Sequence, residues 1–256
     1  MTLGPSIAER LNRARADLRS GVPVVLVHAA DAVLAAAAET LTDARLAAMR
    51  GLGPVALAVT ARRAATLRAR AYDGDIARIV VPADADAGWI ARLADPAGDL
   101  DNPLRGPLAT IREGQADLPR LAVQLCKTAR LLPAAAFVPV ADAAGFAATE
   151  NLTVIDLPGA LPALSGPAQL NPVISARVPL EAAESGRLHV FRPEDGGEEH
   201  YAVEIGQPPR DRPVLARLHS AASPETFWVR SSATAAPSSG RRSTRWGRPG
   251  RESSSI

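Results

Sequence analysis

Cysteine is nearly missing from this chain. Cys126 is the only one in 256 residues, which excludes an internal disulfide and leaves no Cys-x-x-Cys metal knuckle. Lysine is as scarce, Lys127 alone among 29 basic residues, and the heavy use of Arg, Ala, Gly and Pro points to a GC-rich coding sequence. Aromatic residues make up 4%, so the 47% apolar content is mostly Ala and helices must pack through many small contacts. No run of about 18 apolar residues and no charged segment leading into a short apolar one occurs, so neither a membrane span nor a leader is expected. A soluble cytoplasmic protein is the expectation.

What is present is unevenly charged. Residues 222 to 256 hold six Arg against Glu225 and Glu252, while the whole chain has a formal charge of +2. The basic pI of 9.2 therefore belongs to the tail. Its RRSTRWGRPGR stretch (241 to 251) matches no nucleic-acid reading module, so nucleic acid is not an expected partner.

Residues 1 to 160 alternate between two patterns. Ile7, Leu11, Ala14 and Leu18 recur at helical spacing with Gly21 as a stop. PVVLV (23 to 27), PVALAVT (54 to 60), ARIVVP (77 to 82), AFVPV (136 to 140) and LTVIDL (152 to 157) read as strands. AVLAAAAETLTDARLAAMRGLG (32 to 53) is helical in composition, with Thr42 placed to cap a second helix, and 118 to 132 reads as a long helix. The alternation predicts an α/β fold, a layered N-terminal domain over 1 to 160. PGALPALSGPAQLNP (158 to 172) has the Pro content of a connection, and 161 to 172 is taken as a linker. A β-rich segment follows over 173 to 221, with a hairpin turn at Asp195-Gly196-Gly197 and PVLARLHS (213 to 220) as a further strand. The Ser- and Arg-rich stretch from 222 to 256 reads as a disordered basic tail.

Two stretches carry a resemblance. Glu199-His200-Tyr201-Ala202 and Arg217-Leu218-His219-Ser220 resemble the opening of GTP cyclohydrolase II, an enzyme of riboflavin biosynthesis. Arg19 to Val27 and the 121 to 136 region resemble a degenerate 3,4-dihydroxy-2-butanone 4-phosphate synthase, the domain often fused ahead of it. The resemblance implies GTP as substrate, zinc as cofactor, a water activated by that zinc to open the imidazole ring with release of formate and pyrophosphate, and a homodimer as a possible assembly. It also implies that Arg217, His219 and Ser220 contact the triphosphate side of the nucleotide. No catalytic and no metal-binding residue can be carried over.

Both halves depart from the pattern where chemistry would lie. The synthase's acidic magnesium loop is replaced by His28-Ala29-Ala30-Asp31, and its Gly-His-Thr-Glu stretch by Gly114-Gln115-Ala116-Asp117, so the first domain reads as a non-catalytic scaffold. Asp31 and Glu39 read as surface helix residues, and Cys126 as core. The cyclohydrolase binds zinc through Cys-x10-Cys-x-Cys, and the corresponding positions here are Ala222, Ala233 and Ala235, which have no lone pair to give.

The spacing of those alanines is informative. Codons that encode Ala222 to Thr226 can be read one base earlier as Cys-Leu-Thr-Gly-Asp, and those for Ser232 to Pro237 as Lys-Cys-Asp-Cys-Gly-Pro. Three cysteines then return at the family's spacing. The expectation is a family member translated out of frame from about residue 222, truncated, inactive and binding no zinc. The alternative is a non-catalytic interaction or regulatory protein with a genuine basic tail.

Overall fold

The computed structural model describes residues 4–100, 107–166, 169–180, 183–194, 197–209 and 211–218. They fall into two compact units, divided between residues 167 and 168.

In the first unit, helix α1 (Ile7–Arg19) starts with a capping box in which the Ser6 hydroxyl accepts from the Glu9 N–H and the Glu9 carboxylate accepts from the Ser6 N–H. Leu11, Ala14 and Leu18 are buried, as the spacing requires. Gly21 ends the helix with φ +74°, and a Cβ there would lie 2.7 Å from the Thr40 carbonyl oxygen. Only glycine accommodates both demands.

Strands β1 (Val24–His28) and β2 (Asp31–Ala37) form an antiparallel hairpin. Here the structure corrects the sequence reading, since AVLAAAA is strand rather than helix. The six strands lie in the order β4-β3-β5-β2-β1-β6, with β3 at Ala56–Thr60, β4 at Ile76–Val80, β5 at Ala134–Pro139 and β6 at Val154–Asp156. β2 is interior, paired to β1 and β5, and its residues alternate between two cores: Leu34 and Ala36 join one, Val33, Ala35 and Ala37 the other. Helix propensity is worth under about 1 kcal/mol per residue and yields to such two-sided burial. Among the described residues of this sheet only the β1–β6 pair is parallel.

Helices cover both faces. α2 (Asp43–Leu52), capped by Thr42 as the sequence predicts, packs with α3 (Ala61–Thr66), α4 (Ala87–Ala94) and α6 (Ala143–Glu150) in one core. α1 packs with α5 (Asp117–Thr128) and α7 (Leu157–Ser165) in the other. Helix α7 occupies most of the sequence that composition marks as a connection. Asp156 caps it, accepting from the Gly159 N–H at 2.9 Å, and a proline stands in its first turn, where no N–H is needed. The result is the layered α/β domain that the alternation predicts.

The second unit is a three-stranded antiparallel sheet in the order β7-β8-β9, formed by β7 (Leu170–Leu180), β8 (Ala183–Pro193) and β9 (His200–Ile205). The chain reverses between β8 and β9 where the hairpin turn is expected, although Asp195 and Gly196 lie outside the described residues. PVLARL is not a strand: residues 213 to 218 are exposed and unpaired to any ladder. Pro208, Pro209 and Pro213 have no N–H to donate, so the chain leaves the sheet rather than adding to it. The tail from 222 to 256 lies outside the described residues.

Candidate functional site

The loop between β1 and β2 is where the synthase-like half would place its acidic metal loop. It is a two-residue turn closed by the His28–Asp31 pair, with Ala29 at φ +53°. There is no length for a ligand-bearing loop. Left-handed backbone costs a residue with a Cβ about 1–2 kcal/mol, partly offset by the extra unfolded-state entropy of glycine. Ala29→Gly is therefore expected to stabilise the domain by about 0.5 kcal/mol, read from the urea midpoint. Asp31 begins β2, and Glu39 follows it and accepts the Leu132 N–H at 2.7 Å, so neither is a helix residue as the sequence suggests.

Behind this turn lies a cavity of about 250 Å³, lined by His28, Asp117, Arg120, Gln124 and three leucines. His28 Nδ1 is buried and has no hydrogen-bond partner among the described residues. Arg120 is already engaged. Its guanidinium donates to both Asp75 carboxylate oxygens at 2.7 and 2.9 Å and to Asp117 at 2.7 Å. The hydrogen bond from Arg120 lowers the Asp75 pKa, and Asp75 in turn raises that of Arg120. The stabilisation is present above the unfolded carboxylate pKa and is lost as pH falls through the lowered one.

A second guanidinium orders the entry to α5. Arg78, on β4, pairs with Asp73 at 2.8 and 3.0 Å and donates to the carbonyls of Glu113, Gly114 and Gln115. The carbonyls of Gly114 and Gln115 belong to the stretch that stands in place of Gly-His-Thr-Glu, and that of Glu113 directly precedes it. The sequence signal, overlooked in reading for strands, is an Arg inside the apolar run IARIV, where a buried charge requires a partner. Of the residues that line the cavity only Asp117 is a carboxylate and only Arg120 a guanidinium, and Arg120 is paired to Asp117 and, outside the lining, to Asp75. A phosphorylated sugar would find no uncommitted cation there. Among the described residues no group of three or more His, Cys, Asp or Glu could hold a metal ion.

Cys126 lies in the core of α5, and burial pushes its thiol up to about 12. Its neutral form contributes stability that is present below the unfolded thiol pKa and is lost as pH rises from there toward 12. The thiolate is the reactive species. The native chain is expected to resist alkylation by iodoacetamide at pH 8 and to react fully in urea; equal rates in the two states would refute the burial.

In the second unit, Glu199 of the cyclohydrolase-like stretch directly precedes β9 and Tyr201 lies within it. Arg192 donates to the Glu199 carboxylate at 2.7 Å and Tyr201 Oη donates to it at 3.2 Å, so these residues shape a hairpin edge. Of the expected nucleotide contacts, Arg217 is exposed, and His219 and Ser220 lie outside the described residues.

The chain is thus an α/β layer whose β1–β2 connection is a two-residue turn, and an antiparallel three-stranded sheet. A GTP cyclohydrolase-2 from Azospirillum brasilense is 36% identical over 220 residues, covering 82% of this chain and 57% of that protein. The chain is similar to this GTP cyclohydrolase-2 and spans a little over half of its length. No protein-family profile matches it. Among solved structures, a cation-free 3,4-dihydroxy-2-butanone 4-phosphate synthase aligns with a TM-score of 0.48 and 17% identity, over 60% of this chain and 95% of that one. A two-domain synthase from A. baumannii aligns with a TM-score of 0.43 and 16% identity, over 79% of this chain and 70% of that one.

Proposed function

We propose that this chain descends from a zinc-dependent GTP cyclohydrolase II of riboflavin biosynthesis and is itself inactive, because it is translated out of frame from about residue 222. The observation that carries the reading is the spacing of Ala222, Ala233 and Ala235, which reproduces Cys-x10-Cys-x-Cys with every thiolate replaced. Three alanines at this spacing would be cheap in an Ala-rich chain. Recovery of Cys-Leu-Thr-Gly-Asp and Lys-Cys-Asp-Cys-Gly-Pro by one and the same one-base shift is not.

The donor set present does not fit zinc. The sole thiol, Cys126, is buried in the first unit with its pKa pushed up to about 12, and zinc coordination requires the thiolate. The first domain serves as a scaffold: the guanidinium that lines its cavity, Arg120, is paired to Asp75 and Asp117, and its turn has no room for an acidic loop. GTP is the substrate of the intact ancestor, with Arg217, His219 and Ser220 on its triphosphate side.

The test is the nucleotide sequence of codons 218 to 237. The expected result is a frame one base earlier that encodes all three cysteines and stays open beyond them. A stop codon directly after Cys-Gly-Pro, or triplets that do not encode cysteine, would reject the reading.

A further inference from the structure

Three elements meet at the pocket behind the β1–β2 turn. Asp117, Leu121 and Gln124 stand at i, i+4 and i+7 on α5, and Leu157 and Leu161 at i and i+4 on α7, so each helix turns one stripe toward the same space. His28 ends β1 beside the start of α7, since Val27 pairs with Asp156 in the parallel ladder. Leu121 and Leu157 are buried and form the floor, while Leu161, 43% exposed, stands at the rim.

This lining selects a ligand by size, charge and hydrogen bonding. Its volume of about 250 Å³ exceeds the roughly 150 Å³ that holds a benzene ring, which leaves space for a polar head of one or two heavy atoms. Its charges cancel. Arg120 donates to Asp117 at 2.7 Å, and the rest of the guanidinium is held by Asp75. An anion would compete with both carboxylates for that cation, and an ammonium would exchange its hydration for a wall of leucines. What remains is polar and uncharged. His28 Nδ1 is buried without a partner among the described residues, and a buried ring nitrogen left unpaired is costly, so a pocket that keeps one on its wall is matched to a ligand group that pairs with it. A hydroxyl suits either tautomer, because it both donates and accepts. Gln124, whose amide nitrogen donates to the Leu164 carbonyl at 3.2 Å, keeps an acceptor oxygen on the same lining.

We propose that the pocket binds a small uncharged alcohol with an apolar body the size of one six-membered ring, the ring among Leu121, Leu157 and Leu161 and the hydroxyl on His28 Nδ1. The alcohol is bound and not transformed. Nothing in the pocket depends on residues after 221, so the site stands apart from the frame reading.

The full chain is titrated with benzyl alcohol and followed by saturation-transfer NMR. One saturable site with a Kd of about 1 mM or tighter is expected, with benzoate and benzylammonium at least about tenfold weaker. His28→Leu keeps the pocket apolar and removes the partner of the hydroxyl, so affinity for benzyl alcohol is expected to fall about tenfold. Leu161→Trp adds bulk at the rim, where the core need not repack, and is expected to abolish binding. Far-UV circular dichroism checks that each variant folds, and the half-exposed position of Leu161 keeps the test decisive if His28→Leu does not. Absence of saturable binding to the native chain overturns the proposal, as does benzoate or benzylammonium that binds as well as the alcohol. Undiminished binding to Leu161→Trp, or to folded His28→Leu, overturns it too.

Discussion

Inserting one base near codon 221 is expected to give a chain that binds about one zinc and releases formate from GTP, whereas the present chain is expected to bind no stoichiometric zinc. The insertion recovers Cys-Leu-Thr-Gly-Asp and Lys-Cys-Asp-Cys-Gly-Pro together, and with them all that follows in that frame. Replacing Ala222, Ala233 and Ala235 by Cys in the present frame is the decisive contrast. It recreates three thiolates, yet the loop between them and the downstream groups stay wrong, so weak metal binding and no turnover are expected. Formate release and zinc content of the two proteins, measured beside the present chain, check the result. Formate from the triple-Cys chain, or none from a folded and zinc-loaded restored chain, would show the frame reading to be mistaken.

Arg78→Ala is expected to cost about 3–5 kcal/mol of first-unit stability, the penalty for breaking a buried pair by removing one partner. The Arg78 side chain is 4% exposed and its partner Asp73 11%. Its loss leaves a near-buried carboxylate uncompensated and strips a donor from the carbonyls of Glu113, Gly114 and Gln115 ahead of α5. Arg78→Lys keeps the charge but cannot span Asp73 and three carbonyls at once, so an intermediate loss is expected. Urea unfolding followed by far-UV circular dichroism measures both. A loss under about 1 kcal/mol for the alanine variant would mean that the network is solvated and structurally idle.

The candidate site was only partly readable in advance. That the acidic loop was gone could be seen in His28-Ala29-Ala30-Asp31, because four residues with one carboxylate cannot hold a divalent cation. The cavity behind it could not. It draws His28 from β1, Asp117, Arg120 and Gln124 from α5, and leucines from the start of α7, and no local pattern links positions so far apart in sequence. Nor could the commitment of Arg120 to Asp75, 45 residues away, be foreseen, although it decides that the cavity has no cation left for a phosphate.

By itself the sequence determined the α/β character, the capping of α1 and α2, the change of texture between the two halves and the family, since each rests on residue order, short-range spacing or local hydrogen bonds. It also carried Ala222, Ala233 and Ala235, on whose spacing the proposed frame reading rests. Tertiary structure alone decided that AVLAAAA is a central strand and that 157 to 165 is a helix. Alanine is acceptable to either conformation, and the choice falls to whichever neighbour buries it. The same holds for the second sheet, where Ile174, Tyr201 and Ile205 are exposed. Alternation marks which side chains share a face, but only the packing of other elements decides whether that face is covered.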